Sequence, residues 1–355
     1  MLKVGSLQNG TDVFLSDKSP NRHISVLGIS GSGKTVRLRE LIRNVVENGE
    51  TALIFDINGT DYKDCIDRVN VISAREDGFN TNLLEVGSDD AESEICHVMS
   101  IVQVLCRAFG LGCKQEEALR NAILYAVHHK KEDESELVAI KTGLQIQETT
   151  AAQAVESRLW EFLNMDIARK NSLELKKGYA NVISMEGLSA KLQRVWIELL
   201  LALLWRGLRT RKLITKGLWI FIDEFQNLSL KEDSVLLEML CEARKYHVNI
   251  VLATQSIAGY RNDIKAALDK TAVHLYFQQE LTDAKKVASL IDVNKKGLWE
   301  SKLKSLQIGE SVAVGCFRVR GRQFRTPSLL SQILKQLRIK KGQGSYYEEI
   351  RQKEA

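Results

Sequence analysis

The sequence contains Gly28-Ile29-Ser30-Gly31-Ser32-Gly33-Lys34-Thr35, a complete Walker A loop of the pattern G-x-x-x-x-G-K-[ST]. The apolar run 24–29 predicts a buried strand that leads into the loop, and residues 36–46 carry apolar side chains at helical spacing. A strand, a glycine-rich turn and a helix, in this order, are the setting in which this motif binds phosphate. The loop therefore predicts a nucleotide site in an α/β fold.

The residue types in this loop match the chemistry of phosphate binding. Glycine lets backbone N–H groups come close to phosphate oxygens, and the following helix directs its positive end at the anion. Lys34 reaches the β and γ oxygens, and the Thr35 hydroxyl binds Mg²⁺. A glycine-rich turn that binds nothing is the alternative, but the Lys-Thr pair and the flanking elements favour nucleotide binding. ATP and Mg²⁺ are the expected cofactors, with nucleotide contacts at Gly28, Ser30, Gly31, Ser32, Gly33, Lys34, Thr35 and Val36.

A second motif follows the apolar run 218–222, where Asp223 and Glu224 come directly after the predicted strand. This is the form of a Walker B segment, in which Asp223 holds Mg²⁺ and Glu224 activates the water that attacks the γ-phosphate. An ordinary strand exit capped by acidic residues is the alternative for the pair taken alone. The Walker A loop in the same chain favours the catalytic interpretation.

Two further polar residues lie near another predicted strand, 249–253. Gln255 follows that strand, where it is placed to contact the γ-phosphate or the attacking water; an ordinary strand terminus is the alternative. Arg244 precedes the strand on a helix. It is either a surface residue paired with a nearby Glu or an arginine finger delivered to the γ-phosphate of a neighbouring subunit. The residues alone leave both alternatives open.

Alternating strand and helix patterns predict an α/β fold with a mainly parallel sheet covered on both faces. By contrast, apolar residues recur at helical spacing through 88–177, and one such stripe comprises Ile95, Val98, Met99, Val102, Leu105, Cys106 and Phe109. We therefore expect an ATPase core of residues 1–87 and 178–330, and an all-α insertion at 88–177. The further predicted strands are 51–56, 69–73, 181–185, 218–222, 249–253 and 273–277.

The region that follows the core is predicted to hold short strands at 311–314 and 316–325, with turns at Gly315 and around Gly321. A helix is expected after Pro327, and a charged tail over 338–355. We treat 331–355 as a C-terminal helix and tail that is flexible or dependent on a partner.

Composition excludes several classes of protein. The chain has 355 residues, 44% of them hydrophobic, which fits a globular protein with a large core. Six cysteines without a C-x-x-C pair do not form a zinc pattern and are expected to be reduced. No signal peptide is evident, and the most apolar run, 195–205, is interrupted by Glu198 and too short to span a membrane. A cytoplasmic location is expected, and the net charge of +5 permits a nucleic-acid partner.

The assembled motifs resemble those of the HerA/FtsK superfamily of ring-forming DNA motors, which includes conjugative coupling ATPases. The resemblance rests on the Walker A loop, on the segment 223–228, and on Glu242-Ala243-Arg244-Lys245-Tyr246 followed by 251–256. It implies a RecA-like P-loop core with Glu224 as catalytic carboxylate, Gln255 as sensor and Arg244 acting in trans. Residues 56–62 are similar to the D-x-x-G-[DE]-Y stretch of that family, with one extra residue, and the resemblance extends to Asp56 and Asp61.

The resemblance further implies a hexameric ATPase that threads duplex DNA through a central pore, working with a nuclease or another effector, as in antiphage defence. HerA proteins usually carry an N-terminal β-barrel, but only about two dozen residues precede this loop, so a reduced motor is expected. The segment 260–265 is basic enough to be a candidate DNA-contacting loop, but a solvated loop is the favoured interpretation. Two other functions remain open: an ATPase of a conjugation or secretion apparatus, and an ATP-gated scaffold for an effector.

Overall fold

The computed structural model describes residues 1–6, 11–78, 81–86, 91–165, 167–168, 175–210, 217–231, 234–256, 262–325, 336–338, 340–342 and 345–347. The strands are β1 (Lys3–Ser6), β2 (Asp12–Leu15), β3 (Ile24–Leu27), β4 (Thr51–Asp56), β5 (Val69–Ser73), β6 (Ala180–Ser184), β7 (Leu218–Ile222), β8 (Val248–Thr254), β9 (Val273–Tyr276), β10 (Glu310–Val314), β11 (Cys316–Val319), β12 (Arg322–Arg325), β13 (Gln336–Arg338), β14 (Lys340–Gly342) and β15 (Ser345–Tyr347). The helices are α1 (Lys34–Glu47), α2 (Ala91–Phe109), α3 (Cys113–His129), α4 (Glu136–Gln145), α5 (Thr150–Arg158), α6 (Trp160–Asn164), α7 (Ala190–Arg209), α8 (Val235–Glu242), α9 (Asn262–Asp269), α10 (Leu281–Ile291) and α11 (Lys296–Ser305).

A nine-stranded sheet forms the centre of the molecule, in the order β13-β10-β9-β3-β8-β7-β4-β6-β5. The seven strands from β9 to β5 are parallel, whereas β10 pairs antiparallel with β9 and β13 antiparallel with β10. The predicted α/β class with a mainly parallel sheet is confirmed. Because parallel strands share one carboxyl edge, the loops after β3, β7 and β8 come together, with β8 alone between β3 and β7.

Each face of this sheet has its own hydrophobic core. In β7, Trp219 and Phe221 join the core that contains α1, and Ile220 and Ile222 join the core that contains α7. Alternating side chains of one strand therefore serve opposite faces, which is why β7 is buried along its whole length and reads as a continuous apolar run.

Five helices, α2 to α6, lie between β5 and β6 in the chain. Of these, α2 packs on α7, and the ring of Phe162 in α6 lies 5.1 Å from that of Trp196 in α7. The interior of α2 includes Ile101 and Val104, which the sequence stripe omits. The prediction that Ile95 belongs to the buried stripe is wrong, since this residue is 58% exposed near the start of α2. The buried face of the helix is therefore shifted from the one that the pattern indicates.

A small antiparallel sheet, β1-β2-β11-β12, was not predicted in full, because β1 and β2 are only four residues long. In β2, buried Val13 and Leu15 alternate with half-buried neighbours, but β1 is buried at three of its four residues and shows no alternation. Buried Arg37 of α1 donates through Nη1 to the Val4 carbonyl oxygen at 3.1 Å. This bond fastens the small sheet to the helix that follows the phosphate loop.

The region around Pro327 differs in part from expectation. Residues 326–335, where the predicted helix begins, lie outside the described residues. Residues Gln336–Arg338 form strand β13, not helix, because they pair with the otherwise free edge of β10. In the predicted tail, β14 and β15 pair as an antiparallel hairpin. Within the described part of the chain, no helix has the length and apolarity needed to cross a membrane.

Candidate nucleotide site

The phosphate loop lies between β3 and α1 at the carboxyl edge of the sheet. Gly33, the N-cap residue of α1, has a φ of 107°, and Gly31 has a φ of 74°. Residues with a side chain rarely adopt a backbone φ in this range. A Cβ atom on Gly28 would lie 2.5 Å from Cβ of Phe277, so that position has no room for one. The first turn of α1 contains no acidic residue and no side-chain cap, which leaves its backbone N–H groups for an anion.

Lys34 folds back over this loop. Its Nζ donates to the carbonyl oxygens of Gly28 at 2.6 Å and Ile29 at 3.0 Å, and the residue is buried. Burial lowers the pKa of the Lys34 ammonium, while the nearby charges of Glu224 and Asp223 raise it. The ammonium therefore contacts the phosphate loop and is close enough to the acidic pair for their charges to act on it.

Asp223 follows β7 and is held by two hydrogen bonds. Tyr62 donates from Oη to Oδ2 of Asp223 at 2.7 Å, and the backbone N–H of Glu224 donates to Oδ1 at 2.9 Å. Burial raises the pKa of the Asp223 carboxyl, and the Tyr62 bond opposes that rise. The sequence does not predict this role for Tyr62, and its only signal is that Tyr62 ends the stretch 56–62.

Glu224 has a left-handed backbone, with φ 52° and ψ 41°, at the turn between β7 and a short 3-10 helix. Both of its carboxylate oxygens accept hydrogen bonds: Oε2 from Nε2 of Gln226, and Oε1 from Nε2 of Gln255. The structure thus brings Gln255 to the predicted catalytic carboxylate itself. Gln226 is a second residue that sequence reasoning missed, although it lies within the quoted segment 223–228.

The loop after β4 explains how Tyr62 reaches this site. The buried carboxylate of Asp56 accepts three backbone N–H bonds, from Gly59 at 2.9 Å, Asp61 at 3.1 Å and Tyr62 at 3.2 Å. Burial raises the pKa of Asp56, and these three bonds act in the opposite direction. Asp56 therefore shapes the loop, whereas the Asp61 carboxylate accepts a bond from Asn58 at its edge.

Arg244 lies at the amino end of the parallel strands, opposite the carboxyl edge that carries the phosphate loop. It is exposed in the 3-10 turn Ala243–Tyr246 before β8, and its Nη1 donates to the carbonyl oxygen of Pro20. Strand β8, seven residues long, runs from this turn to Gln255. A strand of seven residues spans about 23 Å, and this length separates Arg244 from the phosphate loop of its own chain. The guanidinium therefore does not belong to the site of its own chain.

The residues at the loop fit Mg²⁺ as a group shared with a nucleotide. No cluster of three or more His, Cys, Asp or Glu side chains suited to a metal occurs in the described ranges. The Thr35 hydroxyl and the Asp223 carboxylate offer oxygen ligands of the type that Mg²⁺ takes alongside waters and substrate phosphates.

Of the candidate DNA loop 260–265, Tyr260 and Arg261 lie outside the described residues, and Asn262 begins α9.

A Walker A loop after β3, an acidic pair after β7 and one strand between them define a RecA-like P-loop NTPase fold. The chain belongs to the HerA family: the model described as "Helicase HerA, central domain" matches residues 2–204, more than half of the chain. The resemblance to HerA/FtsK proteins expected from the motifs is confirmed.

Two curated relatives match most of this chain. The DNA double-strand break repair helicase HerA of Saccharolobus solfataricus is 25% identical over 353 residues, which cover 88% of this chain and 66% of that protein. A probable helicase of Methanocaldococcus jannaschii is 23% identical over 359 residues, covering 90% of this chain and 65% of the relative. The chain therefore spans slightly less than two thirds of the length of these relatives.

Two solved structures share the fold. VirB4 of Thermoanaerobacter pseudethanolicus superimposes with a TM-score of 0.72 at 14% identity, covering 92% of this chain and 95% of VirB4. The bacterial conjugative coupling protein TrwB superimposes with a TM-score of 0.64 at 14% identity, covering 91% of this chain and 90% of TrwB. Another TrwB structure, with a TM-score of 0.57, holds ADP and Mg²⁺.

Proposed function

We propose that this chain is a Mg²⁺-dependent ATPase that assembles into a ring and uses ATP hydrolysis to move along DNA. The observation that carries this proposal is the convergence of Lys34, Asp223, Glu224 and Gln255 at one edge of the sheet. Membership of the HerA family supports the same activity.

For hydrolysis, the backbone N–H groups of residues 28–35 and the Lys34 ammonium bind the phosphates, in exchange for the loop carbonyls that Lys34 contacts now. Thr35 and Asp223 would hold Mg²⁺, which would supply positive charge against the phosphate oxygens. The Glu224 carboxylate orients the attacking water and takes its proton. Each Glu224 oxygen has a second lone pair for that water beside the bonds from Gln226 and Gln255.

The position of Arg244 supports the proposed ring. An exposed arginine at the sheet edge opposite its own phosphate loop fits a finger that completes the site of the next subunit. A closed ring, in our proposal a hexamer, supplies every site with one such arginine.

DNA is the proposed track, and an effector protein such as a nuclease is the proposed partner, with antiphage defence as one setting. Support for DNA comes from the HerA relative, whose description is a DNA double-strand break repair helicase. A grip on phosphates through Lys and Arg is independent of base sequence and weakens as salt rises.

The test is ATP turnover with and without duplex DNA. We expect DNA to raise turnover of the wild-type chain, Lys34→Ala to abolish ATP binding, and Glu224→Gln to keep binding but lose hydrolysis. Normal ATP affinity in Lys34→Ala would overturn the assignment of the loop. A rate of ATP hydrolysis that DNA does not change at low salt would overturn the proposal of a DNA motor.

A second candidate function is an ATPase of a conjugation or secretion apparatus, supported by the fold shared with VirB4 and TrwB. A third is a scaffold whose ATP occupancy organises an effector. The variant Glu224→Gln distinguishes the scaffold hypothesis from the two motor hypotheses, because a scaffold still assembles with its partner when hydrolysis is lost. Co-purification with components of a transfer apparatus would favour the second candidate.

A further inference from the structure

A four-residue turn from Gln307 to Glu310 lies directly against the phosphate loop. The backbone N–H of Gly309 donates to the Ser32 carbonyl oxygen at 2.8 Å, and a Cβ atom on Gly33 would lie 3.0 Å from Cα of Gly309. The turn therefore touches the loop at the start of α1, where phosphates are expected to bind. Neither the Walker motifs nor the acidic pair includes this turn.

The turn has a defined geometry. The N–H of Glu310 donates to the Gln307 carbonyl oxygen at 2.9 Å, and the buried Glu310 carboxylate accepts from the Gln307 N–H at 2.9 Å. Gly309 has a φ of 83°, which the third position of a type II turn requires. Leu306 before the turn is buried, but Ile308 at its tip is 68% exposed. A branched apolar side chain is thus held in solvent beside the loop.

The orientation of a bound nucleoside triphosphate determines which part of it lies near Ile308. Asp223, Glu224 and Gln255 follow β7 and β8, on one side of β3, and the γ-phosphate must face them for hydrolysis. The nucleoside end of the same molecule consequently leaves on the other side of β3, over β9. That is the side of the turn, because Gln278 after β9 donates from Nε2 to the Lys304 carbonyl oxygen at the end of α11.

We propose that the turn Gln307–Glu310 forms the nucleobase wall of the ATP site, with Ile308 packing on the face of the base. This inference rests on the proposed function and adds the residue that holds the end of the nucleotide opposite the γ-phosphate. The Ile308 side chain has no hydrogen-bond donor or acceptor, so it contributes equally to adenine and guanine. It stabilises the complex by covering apolar area of the base.

The experiment compares ligands with and without a base. Binding of the β,γ-imido analogues of ATP and GTP and of inorganic tripolyphosphate is measured by titration calorimetry with Mg²⁺, for the full chain and for Ile308→Ala. We expect the Kd of both analogues to rise about five- to tenfold in the variant, while the Kd of tripolyphosphate stays unchanged. Ile308→Met should restore most of the affinity, since it keeps the apolar contact.

Val293→Ala is the matched control, because Val293 is 76% exposed and lies in the connection between α10 and α11; its Kd values should equal those of the wild type. Unchanged analogue binding by Ile308→Ala would overturn the proposal. An equal loss for tripolyphosphate would also overturn it, because the turn would then support the phosphate loop and not the base. A wild-type chain that binds no nucleotide would instead overturn the proposed function itself.

Discussion

The Tyr62 hydroxyl lies 2.7 Å from Oδ2 of Asp223 and donates a hydrogen bond to it, which joins the loop after β4 to the carboxylate expected to bind Mg²⁺. Tyr62 is itself buried, and the Asp56 carboxylate holds its backbone N–H. The bond holds Oδ2 of Asp223, while Oδ1 accepts the Glu224 backbone N–H and would be the oxygen through which Asp223 holds Mg²⁺.

Tyr62→Phe is expected to weaken the response to Mg²⁺ more than the binding of nucleotide. Without the hydroxyl, Asp223 loses its fixed direction, so the Mg²⁺ concentration for half-maximal hydrolysis should rise several-fold. A fluorescent ATP analogue should bind with unchanged affinity in EDTA, and stability should fall by about 1 to 3 kcal/mol.

Tyr276→Phe is the control for that measurement, since Tyr276 is a buried tyrosine of β9 on the other side of β3. It should leave the Mg²⁺ dependence unchanged. An unchanged Mg²⁺ requirement in Tyr62→Phe would show that the bond serves packing only.

Gln226→Ala is expected to lower kcat for ATP hydrolysis about tenfold, because Glu224 loses the donor on Oε2 and with it part of its orientation. The affinity for ATP should not change, since Gln226 is not among the phosphate-binding residues. Steady-state kinetics separates the two effects. The control is Asn227→Ala, an exposed neighbour in the same 3-10 turn, and equal losses in both variants would contradict a specific role for Gln226.

Arg244→Ala is expected to abolish hydrolysis in a uniform ring and to be rescued in mixed rings. When Arg244→Ala subunits are mixed with Glu224→Gln subunits, some interfaces regain both an intact arginine and an intact glutamate. ATP turnover measured across mixing ratios should pass through a maximum. Lys245→Ala serves as control, because exposed Lys245 pairs with Glu242 in its own chain. A flat response at every ratio would refute action in trans.

Acid is expected to destabilise the fold through His23. Its Nδ1 accepts the Ile250 N–H at 3.0 Å, and burial lowers the pKa of His23 from 6.5 to about 4. The unfolded chain then binds the proton more readily, so this contribution to stability is present above pH 6.5 and is lost as the pH falls towards 4.

The measurement is the thermal unfolding midpoint between pH 7.5 and 4.5. His23→Asn keeps a hydrogen-bond acceptor without a titratable ring, and its midpoint should fall less steeply with acid than that of the wild type. His247→Asn, at an exposed histidine, should keep the wild-type slope. Identical slopes for His23→Asn and the wild type would contradict the prediction.

Sequence patterns predict the parts of the site that are contiguous in the chain. The residues 28–35 and the pair Asp223-Glu224 are recognisable because their chemistry requires fixed spacing after buried strands. The contact between Tyr62 and Asp223 is not, since 161 residues separate the two partners and only the order of strands in the sheet brings them together. Gln226 lies beside a recognised motif, but its amide reaches Glu224 only through the left-handed turn there.

The fold shows the same difference between features that are local in the chain and features that depend on distant residues. Long buried strands such as β4 and β7 occur at the predicted positions, because a parallel sheet covered on both faces leaves continuous apolar runs. The strands β1 and β2 are only four residues long, which is too short for a clear periodic pattern. Their pairing depends on β11, which lies far along the chain, so local periodicity does not indicate it.

The small sheet also sets an order of events during synthesis. Strand β2 pairs with β11, so Leu15 meets Phe317 only after roughly 300 further residues have left the ribosome. Until then, among the described strands of this sheet, β1 and β2 pair only with each other, and an isolated two-stranded hairpin is marginally stable in water. A chain that stops short of β11 therefore lacks two of the four strands of the sheet to which Arg37 fastens the helix after the phosphate loop.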